Sequence, residues 1–135
     1  MTQKLLKILF LILVISSCDY YDRRLTITNK TDNQICFDYD LDTILDVPSQ
    51  TKKTYFVNNS LAPNETRAIT LPGSTDMWFR KLNQSKDTTL SLFIFDYKTV
   101  LNSDWDSLRK NNGYIQRLDL KINDVEKLEW KIEIK

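Results

Sequence analysis

Residues 90–95, LSLFIF, form the strongest apolar run of the chain beyond its N-terminal segment. In a strand, alternate side chains point to opposite faces, so one face here carries Leu and Ile and the other carries Phe93 and Phe95. A strand of an antiparallel sandwich needs only one apolar face. The segment therefore predicts a central strand that is covered on both sides.

The aromatic face of this strand has two interpretations. A short helix predicted near residues 103–111 would cover it with Trp105 and Leu108. Alternatively, Phe93, Phe95 and Trp105 would form an exposed patch that binds a partner, since exposed apolar patches mark interaction sites. The sequence leaves both interpretations open.

Local signals place the helix and the last strand. Ser103 is the expected N-cap of the helix, with Asp106 three residues on as in a capping box and Gly113 just beyond the C-terminal end. At the C-terminus, Trp130, Ile132 and Ile134 alternate with charged residues, which predicts a half-buried strand.

The remaining segments indicate a β-rich domain. Asn123 to Glu126 predicts one helical turn, and Trp78-Phe79 predicts the start of a strand. Turn residues recur at intervals of about ten residues, which is typical of a sandwich. We therefore predict an all-β fold, an antiparallel two-sheet β-sandwich with an immunoglobulin-like outline, over residues 25–135. The other predicted strands cover residues 25–28, 35–39, 55–57, 66–71 and 114–120.

The N-terminal segment predicts export and a lipid anchor. Two lysines precede an apolar run at residues 8–15, which is typical of a signal peptide over residues 1–17. As a helix this run would reach about 12 Å, too short for a hydrocarbon core of about 30 Å. Ile-Ser-Ser-Cys resembles the bacterial lipobox, and this resemblance implies that Cys18 becomes the lipidated N-terminus of the mature chain. Residues 18–24 would be a short tether, and we expect the domain in the cell envelope, anchored at the outer membrane and facing the periplasm or the outside.

Composition excludes several chemistries. The chain has no His, which removes Ser-His-Asp triads and His-based zinc sites, and its two Gly are too few for a phosphate-binding loop. Without the two lysines of the predicted signal peptide, 17 basic residues face 18 acidic ones, so we expect no nucleic-acid partner. Cys36 would have no disulfide partner and is expected to be a buried structural thiol. We expect no cofactor.

Two further sets of residues are candidate sites. Asp38, Asp40 and Asp42 have alternate spacing that could hold a calcium ion, or they belong to a solvated loop. Exposed aromatic side chains beside carboxylates would mark a glycan-binding site. The candidate aromatic residues are Tyr20, Tyr21, Tyr39, Tyr55 and Trp78.

The second half of the chain resembles a family. Phe95-Asp96, Trp105, Arg117 to Leu120 and Trp130-Lys131-Ile132 match the framework of small lipoproteins of Bacteroidetes-type bacteria, although Leu118 stands where an aromatic residue is common. The segments NKTDNQICF and LAPNETRAI are also similar to that family. The resemblance implies an envelope location and a β-rich domain, and it carries over no catalytic residues.

One set of candidate sites follows from this resemblance. Thr43, Thr88 and Ser107 lie in Asp-Ser/Thr segments that resemble the O-glycosylation signal of the same phylum.

These features lead to three functional hypotheses. The first is a membrane-anchored, non-enzymatic interaction or structural module with an envelope protein as partner. The second is a surface module that binds a ligand or glycan. The third is a hydrolase that uses two carboxylates, for which the sequence shows no specific pair.

Overall fold

The computed structural model describes residues 20–42 and 44–135, so the predictions for residues 1–17, Cys18 and Thr43 lie outside the described residues. The described residues form eight strands and five short helices. In chain order these are β1 (Tyr21–Asp22), β2 (Thr26–Asn29), β3 (Ile35–Asp40), α1 (Lys53–Asn58), β4 (Thr66–Ala68), β5 (Leu71–Pro72), α2 (Met77–Gln84), β6 (Thr89–Asp96), α3 (Tyr97–Asn102), α4 (Trp105–Lys110), β7 (Gln116–Lys121), α5 (Ile122–Lys127) and β8 (Lys131–Ile134).

The strands form three sheets. One three-stranded sheet has the order β3-β6-β7 and is antiparallel throughout, with β6 in the centre as the sequence predicts. The second has the order β4-β2-β8, in which β2 runs antiparallel to β4 and parallel to β8. The short strands β1 and β5 pair with each other.

The main core contains side chains from both three-stranded sheets. The Leu90, Leu92 and Ile94 face of β6 packs there with Ile27 of β2 and Ile132 of β8. The predicted alternation at the C-terminus is confirmed, since Ile132 and Ile134 are buried between exposed charged residues. Apolar side chains from two sheets thus fill one interior, and their burial is the main source of stability.

The other face of β6 lies in a second, smaller core. This second core consists of Cys36, Phe56, Phe93, Phe95, Val100 and Trp105. Helices α1, α3 and α4 each contribute one of its buried residues, so short helices rather than another sheet cover the aromatic face of β6.

The fold prediction holds only at the level of a β-rich domain. The chain is not strictly all-β, because residues 55–57 lie in α1 and Trp78-Phe79 lie in α2 rather than in strands. In α2, Trp78 and Leu82 are four residues apart and both are buried, which is the spacing of one helix face. The parallel pairing of β2 with β8 and the third sheet also depart from an antiparallel, immunoglobulin-like two-sheet sandwich.

The helix near residues 103–111 is present, but it begins differently from the prediction. The N-cap is Asp104, whose carboxylate accepts from the Ser107 amide at 2.9 Å, and Ser103 lies one position too early. Gly113 follows the helix as predicted, and its amide donates to the Leu108 carbonyl at 2.8 Å. The predicted turn at Asn123 to Glu126 is also helical, within α5, which begins at Ile122.

The predicted tether is folded where the structure describes it. Tyr21 and Asp22 pair with Pro72 and Leu71, and the Asp22 side chain is buried. The folded domain therefore includes residues that the prediction assigned to a linker before Leu25. Across the described ranges, no helix combines the length and the apolar character needed to cross a membrane.

Candidate functional site

A cleft of about 240 Å³ lies between the free edges of two sheets. Strand β3 is an edge strand of the β3-β6-β7 sheet and β4 is an edge strand of the β4-β2-β8 sheet. Helix α1 contributes to the wall between them. The side chains that give the cleft its chemistry are Phe37, Asp38, Tyr39, Tyr55, Asn59 and Arg67.

Strand alternation explains how β3 supplies both apolar and charged groups. Phe37 and Tyr39 stand opposite Ile94 and Leu92 of β6 and pack against the main core. Asp38 points to the other face, opposite Phe93. Because β3 lies at the sheet edge, the cleft reaches around it and meets residues from both faces.

Two tyrosines form the aromatic part of the cleft. Tyr39 is half-buried with its ring edge-on to Trp78 at 5.3 Å between centroids, while Tyr55 on α1 is 57% exposed and meets Phe56 edge-on at 5.5 Å. Burial, and next the neighbouring Tyr55, raises the pKa of Tyr39 above its ordinary value of 10.0. The phenol of Tyr39 is therefore neutral near pH 7. The cleft is thus lined by one ring that packing holds in place, Tyr39, and one ring that is largely exposed, Tyr55.

Arg67 of β4 supplies a cation with hydrogen-bonding capacity left over. Its Nη2 donates to the Glu65 carboxylate at 2.6 Å and to the Ser60 carbonyl at 3.2 Å. Its Nη1 is buried and has no hydrogen-bond partner among the described residues. A buried donor without a partner costs free energy, and 30% of the Arg67 side chain stays exposed, so its guanidinium is a cationic hydrogen-bond donor in the cleft lining.

Asp38 is held by a buried cation. Its carboxylate accepts from Arg109 Nη1, and the rest of the Arg109 guanidinium donates to the Asp46 carbonyl at 2.9 Å from Nη2 and 3.2 Å from Nε. Arg109 thereby ties α4 to β3 and to the loop that follows it. Asp38 is the one carboxylate among the residues that line the cleft, so this cleft lacks the two facing acids that a carboxylate hydrolase uses.

The structure does not bring the three predicted metal ligands together. The Asp40 carboxylate accepts from the Leu41 amide at 2.7 Å, and the Asp42 carboxylate accepts from the Ile44 amide at 2.8 Å. Asp38 is paired with Arg109. Over residues 20–42 and 44–135, no group of three potential ligands could hold a metal ion, so the described residues give the calcium prediction no support.

The predicted partner patch is buried. Phe93 is 1%, Phe95 0% and Trp105 6% exposed, and the last two rings meet at 5.0 Å between centroids. Of the two interpretations, the structure confirms that the helix covers the aromatic face, with Leu108 packed against the same core. The exposed-patch interpretation is wrong because α1, α3 and α4 occupy that face.

The other candidate residues have mixed outcomes. Trp78 is fully buried and cannot stack on a ligand, whereas Tyr20 and Tyr21 are exposed but lie on and beside β1, outside the cleft lining. Ser107 is exposed, and Thr88 is half-buried with φ of 47°. Glycosylation at Thr88 and Ser107 stays a prediction.

Sequence reasoning named Tyr39, Tyr55 and Asp38 but missed Arg67, Asn59 and Phe37. The missed residues carry no local signal of a site, because the cleft forms only when edges far apart in sequence meet.

Comparison of the chain with protein-family models, with curated proteins and with solved structures found no match. The resemblance to small Bacteroidetes-type lipoproteins therefore stays a prediction.

Proposed function

We propose that this chain is a lipid-anchored, non-enzymatic binding module of the cell envelope whose cleft takes a small polar ligand with a flat face, such as one sugar unit of a glycan. The observation that carries the proposal is the cleft between β3 and β4, where Tyr39 and Tyr55 lie beside Asp38 and Arg67. Its volume, about 240 Å³, is just below the usual range for small-molecule sites.

The chemistry of the cleft suits a sugar. An aromatic ring gives apolar stacking surface to the C–H face of a pyranose, and Tyr55 has more than half of its surface free for such a contact. Hydroxyl groups on the ring edge would accept from the Arg67 guanidinium and from the Asn59 amide and donate to the Asp38 carboxylate. This combination favours the ligand-binding hypothesis over a protein interface built on Phe93, Phe95 and Trp105, which are buried.

The anchor part of the proposal rests on the Ile-Ser-Ser-Cys segment and on the signal peptide pattern before it. Acyl chains on Cys18 would hold the domain at the envelope, where each buried methylene contributes about 0.8 kcal/mol. We propose the outer membrane as the location, with the domain facing the periplasm or the outside.

The anchor is tested by fractionation and mass spectrometry of the mature chain. We expect the wild-type chain in the membrane fraction with the mass of an acylated Cys18, and Cys18→Ala in the soluble fraction. An unacylated mature chain, or a Cys18→Ala variant that still fractionates with membranes, would contradict the anchor.

Ligand binding is tested with a glycan array, followed by titration calorimetry of the array's strongest glycan. Removing one stacking contact by Tyr55→Ala should weaken binding about twofold to tenfold, as expected for an aromatic contact of about 0.5–1.5 kcal/mol. Tyr20→Ala is the matched control, since Tyr20 is exposed to a similar degree but is not part of the cleft lining.

Two results would contradict a sugar-binding cleft. One is an array without any signal for the folded, acylated protein. The other is equal weakening by Tyr55→Ala and Tyr20→Ala, which would locate binding elsewhere.

A further inference from the structure

The first described residues are fixed to the body of the domain. The Tyr20 carbonyl accepts from the Gly73 amide at 2.7 Å, and β1 pairs in register with β5. The buried Asp22 carboxylate accepts from Arg24 Nε at 3.0 Å and from the Trp78 amide at 2.9 Å. The backbone from Tyr20 onward is therefore attached both to β5 and to the beginning of α2.

Covalent geometry then limits the distance between the domain and the lipid attachment site. Two residue steps separate Cys18 from Tyr20, and an extended chain spans at most about 3.6 Å per residue, or about 7 Å here. If Cys18 carries acyl chains in the bilayer, the β1–β5 side of the domain cannot move far from the headgroups.

We propose that the surface made of β1, β5 and the turn at residues 73–76 lies directly against a phospholipid bilayer, so that the domain is docked on the membrane rather than suspended from it. This inference rests on the proposed lipidation of Cys18. It adds an orientation that lipidation alone does not give, because a flexible tether would allow every orientation.

The exposed side chains of this docking surface suit the headgroup region. Tyr20 is 65% and Tyr21 42% exposed, and Pro72 stands opposite Tyr21 on the same exposed face of the two-stranded sheet. Helix α2, which contacts both strands, also exposes Phe79. Tyrosine is enriched at membrane–water interfaces, where its ring contacts apolar material and its hydroxyl stays in polar surroundings.

The charges on this surface are compatible with anionic lipids. Arg23 is exposed, with its guanidinium 5.8 Å from the centre of the Tyr21 ring. Among the described residues of this surface, the two carboxylates are each paired with an arginine, Asp22 with Arg24 and Asp76 with Arg80. Arginine extends its charged end toward phosphate groups while its aliphatic part covers apolar surface, so this pattern fits the lipid headgroups.

Docking would also orient the cleft. The cleft residue Thr70 immediately precedes β5, so one end of the cleft lies within about one residue step of the docking surface. A ligand bound there would lie beside the headgroups.

The test uses the full, acylated chain reconstituted into vesicles of phosphatidylethanolamine and phosphatidylglycerol. A nitroxide label is attached at Thr75→Cys in the turn, and the matched control label is attached at Asp32→Cys. Both positions are exposed. Asp32 follows the C-terminal end of β2, whereas β1 precedes the N-terminal end of that strand. Cys36 is buried and its pKa is raised to about 11, so it should not compete for the label near pH 7.

The measured quantity is the collision rate between the label and a water-soluble nickel complex. For the label at residue 75, we expect this rate to be several-fold lower in the vesicle-bound protein than in the unacylated Cys18→Ser chain in solution. The label at residue 32 should change little. Replacing the two exposed tyrosines in the acylated chain, Tyr20→Ser with Tyr21→Ser, should restore part of the collision rate at residue 75, because the domain can then tilt on its short tether, with an unchanged urea midpoint as the check on folding.

The outcomes separate this inference from the anchor on which it rests. Acylated, vesicle-bound protein with equal nickel access at residues 75 and 32 would overturn docking and leave the anchor intact. Mature protein that mass spectrometry finds unacylated and that stays in the aqueous phase would overturn both. Loss of access at residue 32 but not at residue 75 would mean that the opposite end faces the bilayer, and would overturn the proposed orientation.

Discussion

The two faces of β6 meet different surroundings, although one run of sequence supplies both. The face with Leu90, Leu92 and Ile94 is aliphatic and packs in the main core, to which the second three-stranded sheet contributes. The face with Phe93 and Phe95 is aromatic and lies under short helices. A sheet offers a broad, flat surface for branched side chains, whereas large rings can fill the less regular space beneath helices of six residues.

This difference indicates which parts of the fold depend on each other. Isolated helices as short as α1, α3 and α4 are not stable in water, so they rely on the rings beneath them. The main core has sheet hydrogen bonds in addition to packing. We therefore expect substitutions on the aromatic face to loosen the helices first, and substitutions on the aliphatic face to affect the whole domain evenly.

The largest expected effect is that of Phe95→Ala. Phe95 is fully buried and meets Trp105 and Tyr114 edge-on, so truncation should lower the free energy of unfolding by about 3–5 kcal/mol. Urea unfolding measures the loss. Hydrogen exchange should show that amides of α3 and α4 lose more protection than those of β2.

Leu92→Ala on the opposite face is the matched variant. It should cost about 2–5 kcal/mol, with amides of β2 and of α4 affected to a similar extent. Equal loss of protection across the domain in both variants would show that the two cores unfold as one unit. That result would contradict the expectation that the helices over the aromatic face loosen first.

A smaller effect is expected at the ion pair beside the aromatic face. Asp38→Asn leaves the guanidinium of the buried Arg109 without its carboxylate, and we expect a loss of about 3 kcal/mol, near the low end for breaking a buried pair. Adding Arg109→Met in the same chain should recover part of this loss, because the uncompensated charge is then gone. Urea midpoints of the two single variants and the double variant complete the cycle.

The exposed pair of Asp76 and Arg80 is the control for this cycle. Asp76→Asn should change the midpoint little, since exposed pairs are screened by water. A double variant at Asp38 and Arg109 that is less stable than Asp38→Asn alone would contradict the expectation that a stranded charge causes the loss.

Ser91 is expected to give a smaller effect still. It is fully buried on the same face as Phe93, and its hydroxyl donates to the Asp119 carboxylate at 2.7 Å. Ser91→Ala removes one hydrogen bond, but Asp119 can turn to water, so we expect a loss of about 0.5–1.5 kcal/mol. A loss as large as that for Phe95→Ala in the same urea assay would contradict this expectation. It would show that Ser91 contributes as much to the free energy of unfolding as Phe95 does.

Local sequence patterns were sufficient for the parts of the fold that depend on a single strand. The two apolar faces of residues 90–95, the helix near residues 103–111 and the alternation at Ile132 and Ile134 are predicted correctly, whereas the sequence left open whether that helix covers the aromatic face. Helix α1 was missed because Tyr, Phe and Val at residues 55–57 favour strands, and packing of Phe56 against Trp105 overrides that preference. In α2 the signal was present, since Trp78 and Leu82 have helical spacing.

The features that could not be predicted depend on contacts between distant segments. The parallel pairing of β2 with β8 joins the two ends of the domain, and no local residue pattern specifies it. For the same reason the sequence offers Tyr39 and Tyr55 as separate candidates but gives no reason to place Arg67 in the same cleft.

Cys36 reports the smallest changes at the aromatic face. It stands opposite Phe95 on the neighbouring strand, and the reactivity of its thiol depends on how well the second core buries it. Burial, with a smaller contribution from Asp96, raises the pKa of its thiol from 9.0 to about 11. The pKa of Cys36 is higher in the folded chain than in the unfolded chain. Its contribution to the free energy of unfolding is therefore fully present below pH 9 and is lost as the pH rises toward 11.

At constant pH 8, iodoacetamide should modify the native Cys36 thiol far more slowly than the urea-unfolded thiol, since the thiolate is the reactive form. In Phe95→Ala the native rate should rise more than in Leu92→Ala, and equal rates in these two variants would mean that the helices protect Cys36 without help from the ring.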